Sequence, residues 1–458
     1  MQIPLIKTLA CAGAVSLCAA SFSLPAIAAT VSPLYASGGT LAAFVYYDLS
    51  NASLEPNSAD SGATCNATTE DCAAELLYAA VGTGSAQASF LAHLGQGSVG
   101  SNEPPYLDLV RFPTITSYPY PDLDWAAGDA PLSVTQLTSY NNTLNGTGTD
   151  FQRFGAANVV PMMAAPVALA YNPGGTGLPS GTTLQLSRNS FCGIMTGTIT
   201  NWDDPSIATD NPGVTFNNLA ITVVVRSDGS GTTFITSNAL NAQCSNFAAV
   251  TGGVGIGGSS TNAPVWPSSF VAEHGSGGVQ AEINSVAGSI GYLSSNYVQP
   301  FAPAGPLAAA LQNKANKFVQ PTVAAAKLAI RGPFSTVGPC GTAGAVQTCY
   351  PAPVTNQILY APNPTNTGAY PIVGFTYGYF YECSDSTYAN TALIGSKGYI
   401  SGFILKPEVS GVLTAADQII ENDGLVELTN TIKANSKRLL ASSTTHLRKG
   451  PVAGVCTL

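Results

Sequence analysis

Short apolar runs separated by stretches rich in Gly, Ser, Thr and Asn make up most of this chain. The clearest run, Ile221 to Val225, is broken only by Thr222. A continuous β-branched run of this kind predicts a strand buried on both faces, as in a parallel sheet. A Gly/Ser turn, Arg226 to Gly231, follows, and then a helix with Ser230 as N-cap and Ile235, Ala239 and Ala242 on one side. The same strand, Gly turn and helix pattern occurs at Leu34–Phe44 and at Glu75–Leu91, where Phe90, Leu91 and Leu94 face inward. Val159–Tyr171, punctuated by Pro161 and Pro166, predicts a long extended segment, and Asp108–Pro113 a strand edge. Gly288–Leu293 and the alternating aromatic stretch Tyr370–Tyr381 predict two further strands. Helices are expected within 386–441, with Ile419, Ile420, Leu425, Leu428 and Ile432 apolar. Loops are expected at 50–72, 140–149 and 251–260, while the Ala- and Pro-rich stretch 300–368 gives no assignment. Strands alternating with helices indicate an α/β fold.

Such turns have a chemical use. The first N–H groups of a helix lack intrahelical partners and carry partial positive charge, so a strand end leading into a helix start can hold an anion. At Arg226–Thr233, Gly229 and Gly231 allow close approach, while Ser230, Thr232 and Thr233 add hydroxyl donors. Arg226 can offer two N–H groups to one oxyanion, with Asp228 holding the guanidinium. An ordinary βα turn with a surface Arg is the plain alternative. Only 9% of residues are charged and the formal net charge is −9, so any anion site must be local. The same balance argues against nucleic-acid or anionic-membrane binding, which needs clustered Lys and Arg.

Residues 1–28 read as a secretory signal, with Lys7 at the positive start, an apolar stretch Leu9 to Leu24, and Ala26-Ile27-Ala28 before cleavage. A periplasmic or secreted protein is therefore expected. Beyond Cys11 and Cys18 in the signal, eight cysteines remain: Cys65, Cys72, Cys192, Cys244, Cys340, Cys349, Cys383 and Cys456. An even number in an exported chain suggests disulfides, although eight cysteines allow 105 pairings. Short loops favour Cys65–Cys72 and Cys340–Cys349, leaving Cys192–Cys244 and Cys383–Cys456. Zinc is the alternative, but the chain has no CxxC pair and its three His are scattered. No metal or other cofactor is expected.

The octet RSDGSGTT, Arg226 to Thr233, resembles the signature of the periplasmic phosphate-binding proteins of ABC transporters (PstS-like), and the details look closer to their DING-type branch. Ser37-Gly-Gly-Thr-Leu41 resembles the family's first ligand turn and implies roles for the Thr40 hydroxyl and the Leu41 N–H. Gly82-Thr-Gly-Ser85 resembles its second turn, which puts Thr83 at the hydroxyl position with Ser85 as the fallback. Asp124–Ser133 resembles the segment that carries a ligand-facing carboxylate, here Asp129. The phosphate-binding set implied is Thr40, Leu41, Thr83, Asp129, Arg226, Ser230, Gly231 and Thr232, with Asp228 behind Arg226 and no catalytic or metal residue. Asp129 is the expected selectivity residue: a carboxylate beside an anion is repulsive unless the ligand has a proton to donate, as phosphate does and sulfate does not. Trp202, in a segment resembling the turn before the main motif, is expected to pack rather than bind.

The resemblance further implies a type II two-lobed periplasmic-binding-protein fold, two mixed sheets with flanking helices joined by a two-strand hinge. Lobe I is expected over 29–162 and 370–458, and lobe II over 163–369. The expected function is capture of inorganic phosphate between the lobes by a monomer, with an ABC permease as the partner. A secreted DING-type phosphatase acting on phosphomonoesters is the alternative, and an adhesive protein that has kept only the fold is the third reading.

Overall fold

The computed structural model describes residues 34–54, 76–92, 123–133, 136, 140, 157–257, 264–330, 361–381, 383–384, 399–441 and 448–449. The signal segment, Asp108–Pro113, Leu94, the loop at 141–149 and the partners proposed for the Cys65, Cys340 and Cys383 pairings lie outside them.

Among these residues the largest element is a nine-stranded mixed sheet. Its strands are β1 (Leu34–Gly38), β2 (Leu76–Ala80), β3 (Trp125–Gly128), β4 (Ala157–Tyr171), β5 (Thr222–Arg226), β6 (Val271–Glu273), β7 (Ser289–Ser294), β8 (Leu307–Ala308) and β9 (Val373–Tyr381). They lie in the order β2-β1-β3-β9-β4-β7-β5-β6, with β8 on the side of β4. β1, β2 and β3 are mutually parallel, and so are β5, β6 and β7. Between these triplets run β9 and β4, each antiparallel to its neighbours. The two expected sheets are thus joined edge to edge. The cause is the length of β4: Ala157–Pro166 pair with β9, while Val167–Tyr171 pair with β7. All 15 residues of β4 are buried, which explains a run with no polar alternation.

Helices α1 (Ala43–Leu54), α2 (Thr83–Ala92), α3 (Gly231–Gln243) and α4 (Gly275–Ser285) follow β1, β2, β5 and β6 directly. α1 continues through residues 51–54, where a loop was expected. In α3, Ile235 and Ala239 are buried as expected, but Ala242 is exposed. The first turns of α3 are enclosed nearly all round, and the last turn emerges into solvent. Trp202 is fully buried and donates its indole N–H to the Gly288 carbonyl at 2.8 Å, a packing role.

The unassigned stretch 300–368 supplies two strands, Ala310–Gln312 and Phe318–Val319, of a three-stranded sheet that Gln185–Leu186 completes, and a helix covers Val323–Ile330. In the expected helical stretch, a π-helical turn (Tyr399–Ile404) precedes helices Ala415–Asn422 and Asn430–Ala441. Cys192 and Cys244 form a disulfide across 52 residues with Cα atoms 5.6 Å apart, tying helix Arg188–Met195 to the C-cap of α3.

Candidate functional site

Five strand ends converge. In α/β sheets, ligands bind outside the carboxyl ends of parallel strands, where side chains and helix starts meet. Here the ends of β1, β2 and β3 supply Gly39–Leu41, Gly82–Gly84 and Asp129, and the ends of β5 and β6 supply Arg226–Thr233 and His274–Ser276. The groups touch: the Gly84 N–H donates to the Gly229 carbonyl at 2.7 Å, and the Thr40 and Ser276 hydroxyls are 2.9 Å apart. The two triplets also press together at Gly231, where a Cβ would lie 2.5 Å from Asp129 Cβ and 2.6 Å from Thr83 Oγ1. Only glycine fits there. At Gly39 a Cβ would meet Asp129 Oδ2 at 2.5 Å, so the two glycines and Thr83 enclose one carboxylate.

Asp129 is 2% exposed. Its N–H donates to Thr83 Oγ1 at 3.1 Å, and the Thr83 hydroxyl lies 3.4 Å from Oδ2. Burial pushes its carboxyl up to about 7, against the opposing pull of Arg226 and Thr83. Gln87 and Tyr379 hold the next residue in place, both donating to the Ala130 carbonyl. Thr83, rather than Ser85, is the hydroxyl bonded to Asp129.

Arg226 is 4% exposed. Its Nε donates to Asp228 Oδ1 at 2.6 Å and its Nη2 to Asp228 Oδ2, while Nη1 reaches Ser276 Oγ at 3.3 Å. Burial raises the Asp228 carboxyl, but the Arg226 charge and hydrogen bonds outweigh it and hold the group below its ordinary value. Gly275 N–H donates to Asp228 Oδ1 at 3.0 Å as well. The guanidinium is therefore fixed side-on by Asp228, which Gly275 holds in turn.

Around this pair lie directed donors. Ser230 caps α3, its hydroxyl accepting from Thr233 N–H at 3.2 Å, and Phe234 N–H makes the first intrahelical bond to the Ser230 carbonyl. The Gly231 and Thr232 N–H groups precede that bond and point out of the helix start. Thr232 Oγ1 is buried with no hydrogen-bond partner. Around Thr40 and Leu41 the carbonyls are fastened: Tyr78 donates to Gly39 O, Tyr297 to Thr40 O and Asn296 to Leu41 O, at 3.0, 2.8 and 2.8 Å. A trans peptide sets its N–H opposite its C=O, so these three bonds turn the N–H groups of Thr40, Leu41 and Ala42 the other way.

The structure thus brings together Thr40, Thr83, Asp129, Arg226, Asp228, Ser230, Gly231 and Thr232, with Leu41 in the same turn. Ser276, Gly275 and Tyr292 were missed from the sequence. Tyr292 accepts from Arg226 N–H at 3.0 Å and pairs with the Thr233 hydroxyl at 2.7 Å. The signal for Ser276 was faint: His274-Gly-Ser-Gly-Gly278 repeats the Gly/Ser helix-start pattern, but β6 before it is three residues long and has no apolar run. Among the described residues no group of three or more His, Cys, Asp or Glu is placed to hold a metal ion.

The PBP superfamily domain matches residues 59–403 of this chain. This chain belongs to the PBP superfamily. Superfamily relatives include alkaline phosphatase L of Pseudomonas aeruginosa (strain UCBPP-PA14), 30% identical over 315 residues, which are 66% of this chain and 72% of that protein. The phosphate-binding protein PstS of Pasteurella multocida is 39% identical over 139 residues, 30% of this chain and 37% of that one. Among solved structures, the phosphate-binding protein from Stenotrophomonas maltophilia matches with a TM-score of 0.59 at 22% identity, over 93% of this chain and 99% of that one. PfluDING, a periplasmic phosphate-binding protein solved with phosphate, gives the same TM-score, identity and coverage. At such identity the likeness concerns the fold, the type II two-lobed binding-protein fold. No helix among the described residues is long and apolar enough to cross a membrane.

Proposed function

We propose that this protein is a receptor for inorganic phosphate, held between two lobes without catalysis. One observation carries the reading: a buried carboxylate, Asp129, sits in the same enclosure as a buried guanidinium, an orphaned Thr232 hydroxyl and a helix start. The donors call for an anion, and the carboxylate calls for a ligand that also has a proton to give. A tetrahedral oxyanion bearing one hydroxyl meets both demands, and phosphate near neutral pH is that species. The relatives named PstS and the neighbours solved as phosphate-binding proteins support the same ligand.

In this reading the site residues are Thr40, Leu41, Thr83, Asp129, Arg226, Ser230, Gly231 and Thr232, with Asp228 behind Arg226. The lobes are 29–162 with 370–458, and 163–369, hinged where β4 and β9 pass between them. Closure is a hinge motion stabilised by both lobes gripping one ligand. The protein is a monomer of the periplasm or the extracellular medium, directed there by residues 1–28, and an ABC permease is its partner.

The relatives named alkaline phosphatase L favour a second reading, hydrolysis of phosphomonoesters, because a site for a tetrahedral oxyanion also suits a phosphoryl transition state. Calorimetric titration with inorganic phosphate, run beside a p-nitrophenyl phosphate turnover assay, separates the two. Saturable binding without turnover is expected. Turnover that inorganic phosphate inhibits would replace the receptor reading with the second, and absence of binding would remove both.

A further inference from the structure

Thr40 and Arg226 approach the site from opposite triplets of the sheet, and one buried side chain joins them. Ser276, the second residue of α4, is 0% exposed. Its Oγ accepts from Arg226 Nη1 at 3.3 Å and lies 2.9 Å from Thr40 Oγ1, while its own N–H donates to Thr40 Oγ1 at 3.2 Å. A hydroxyl has one proton and two lone pairs. When the Ser276 hydroxyl donates its hydrogen bond to Thr40 Oγ1, both lone pairs of Thr40 are filled, one by the Ser276 N–H and one by the Ser276 O–H. The Thr40 proton then has one direction left, outward to a ligand oxygen.

We infer that Ser276 is a positioning residue that orders the chain Arg226 to Ser276 to Thr40 to ligand, fixing Thr40 as a pure donor. The inference rests on the reading of this cleft as a phosphate site. It adds a division of labour. With Thr40 unable to accept, a ligand hydroxyl finds no acceptor on that side, and Asp129 is the carboxylate left to receive it. The charge of Arg226 at the head of the chain also polarises both hydroxyls toward the ligand. An oxyanion with a single proton therefore has one favoured orientation.

A double-mutant cycle on the full chain tests this, using phosphate calorimetry on Thr40→Val, Ser276→Ala and the double variant, with thermal melts as a folding check. Ser276→Ala is expected to weaken phosphate about tenfold, the scale of one lost hydrogen bond to a charged ligand. In the Thr40→Val background the same change should cost about twofold or less, because the residue it orients is gone. If Ser276→Ala does not fold, Ser276→Cys, similar in size with a weak S–H donor, replaces it in the same cycle. Losses that multiply independently, or an unchanged affinity beside a lowered melting temperature, would show Ser276 to be structural only. Wild-type protein that fails to bind phosphate would instead overturn the receptor reading itself.

Discussion

At the residue scale the site is a small set of buried charges whose separate costs are high. Arg226 and Asp228 each have side chains 2% exposed, so removing one leaves the other charged, dehydrated and unpaired. Asp228→Ala is therefore expected to destabilise the protein by about 3–5 kcal/mol. Urea melts of wild type and variant check this, and a loss under about 1 kcal/mol would mean that water reaches the guanidinium. Gly231 makes a different prediction. Gly231→Ala puts a methyl group 2.5 Å from Asp129 Cβ across the cleft, while alanine favours the helix itself. The clash, which includes Asp129 Cα at 2.7 Å, outweighs that helix preference, so the melting temperature should fall and phosphate affinity should drop at least about tenfold. Equal affinity would show that the two triplets stand further apart when ligand is bound.

At the scale of elements, the reach of sequence reasoning varied with how local each signal was. The strand at Thr222–Arg226, the Ser230 cap and the long buried β4 were legible because their signals are runs, caps and prolines within a few residues. Ser276 was not, because its importance lies in contacts with Thr40 and Arg226, 236 and 50 residues away. Tyr292 was read only as part of a strand, and its phenol turns out to support the Arg226 backbone. The short strands between 307 and 319 left no pattern because two or three residues cannot display a period. The disulfide is a testable brace of the elements behind the site. Replacing Cys192 and Cys244 with alanine opens a loop spanning 52 residues and should lower stability by about 2–4 kcal/mol. Phosphate affinity should change less than about twofold, since the pair joins the C-terminal end of α3, away from the Ser230 cap.

The whole molecule responds to pH through its buried acids. The Asp129 carboxyl is raised by burial from its ordinary value to about 7, so the folded, ligand-free protein binds a proton that the unfolded chain has released. Folding stability from this group is highest at acidic pH and falls as pH rises from about 4 to about 7. Glu427, also raised to about 7 by burial, adds a change of the same sign. Ligand-free melting temperature should therefore drop between pH 5 and pH 8, and Asp129→Asn should drop less. Identical slopes would show that Asp129 remains ionised in the ligand-free protein. Phosphate should reduce the wild-type slope, because a P–OH donor makes the charged carboxylate acceptable.

The central claim is that one enclosure demands both negative charge and a proton from its ligand. Titrating wild type and Asp129→Asn with phosphate and with sulfate at one pH and salt concentration tests it most directly. Wild type should bind phosphate about 10⁴-fold more tightly than sulfate, and the variant should shrink that gap below about 100-fold. A variant that leaves both affinities unchanged, or a wild type that binds the two anions alike, would contradict it.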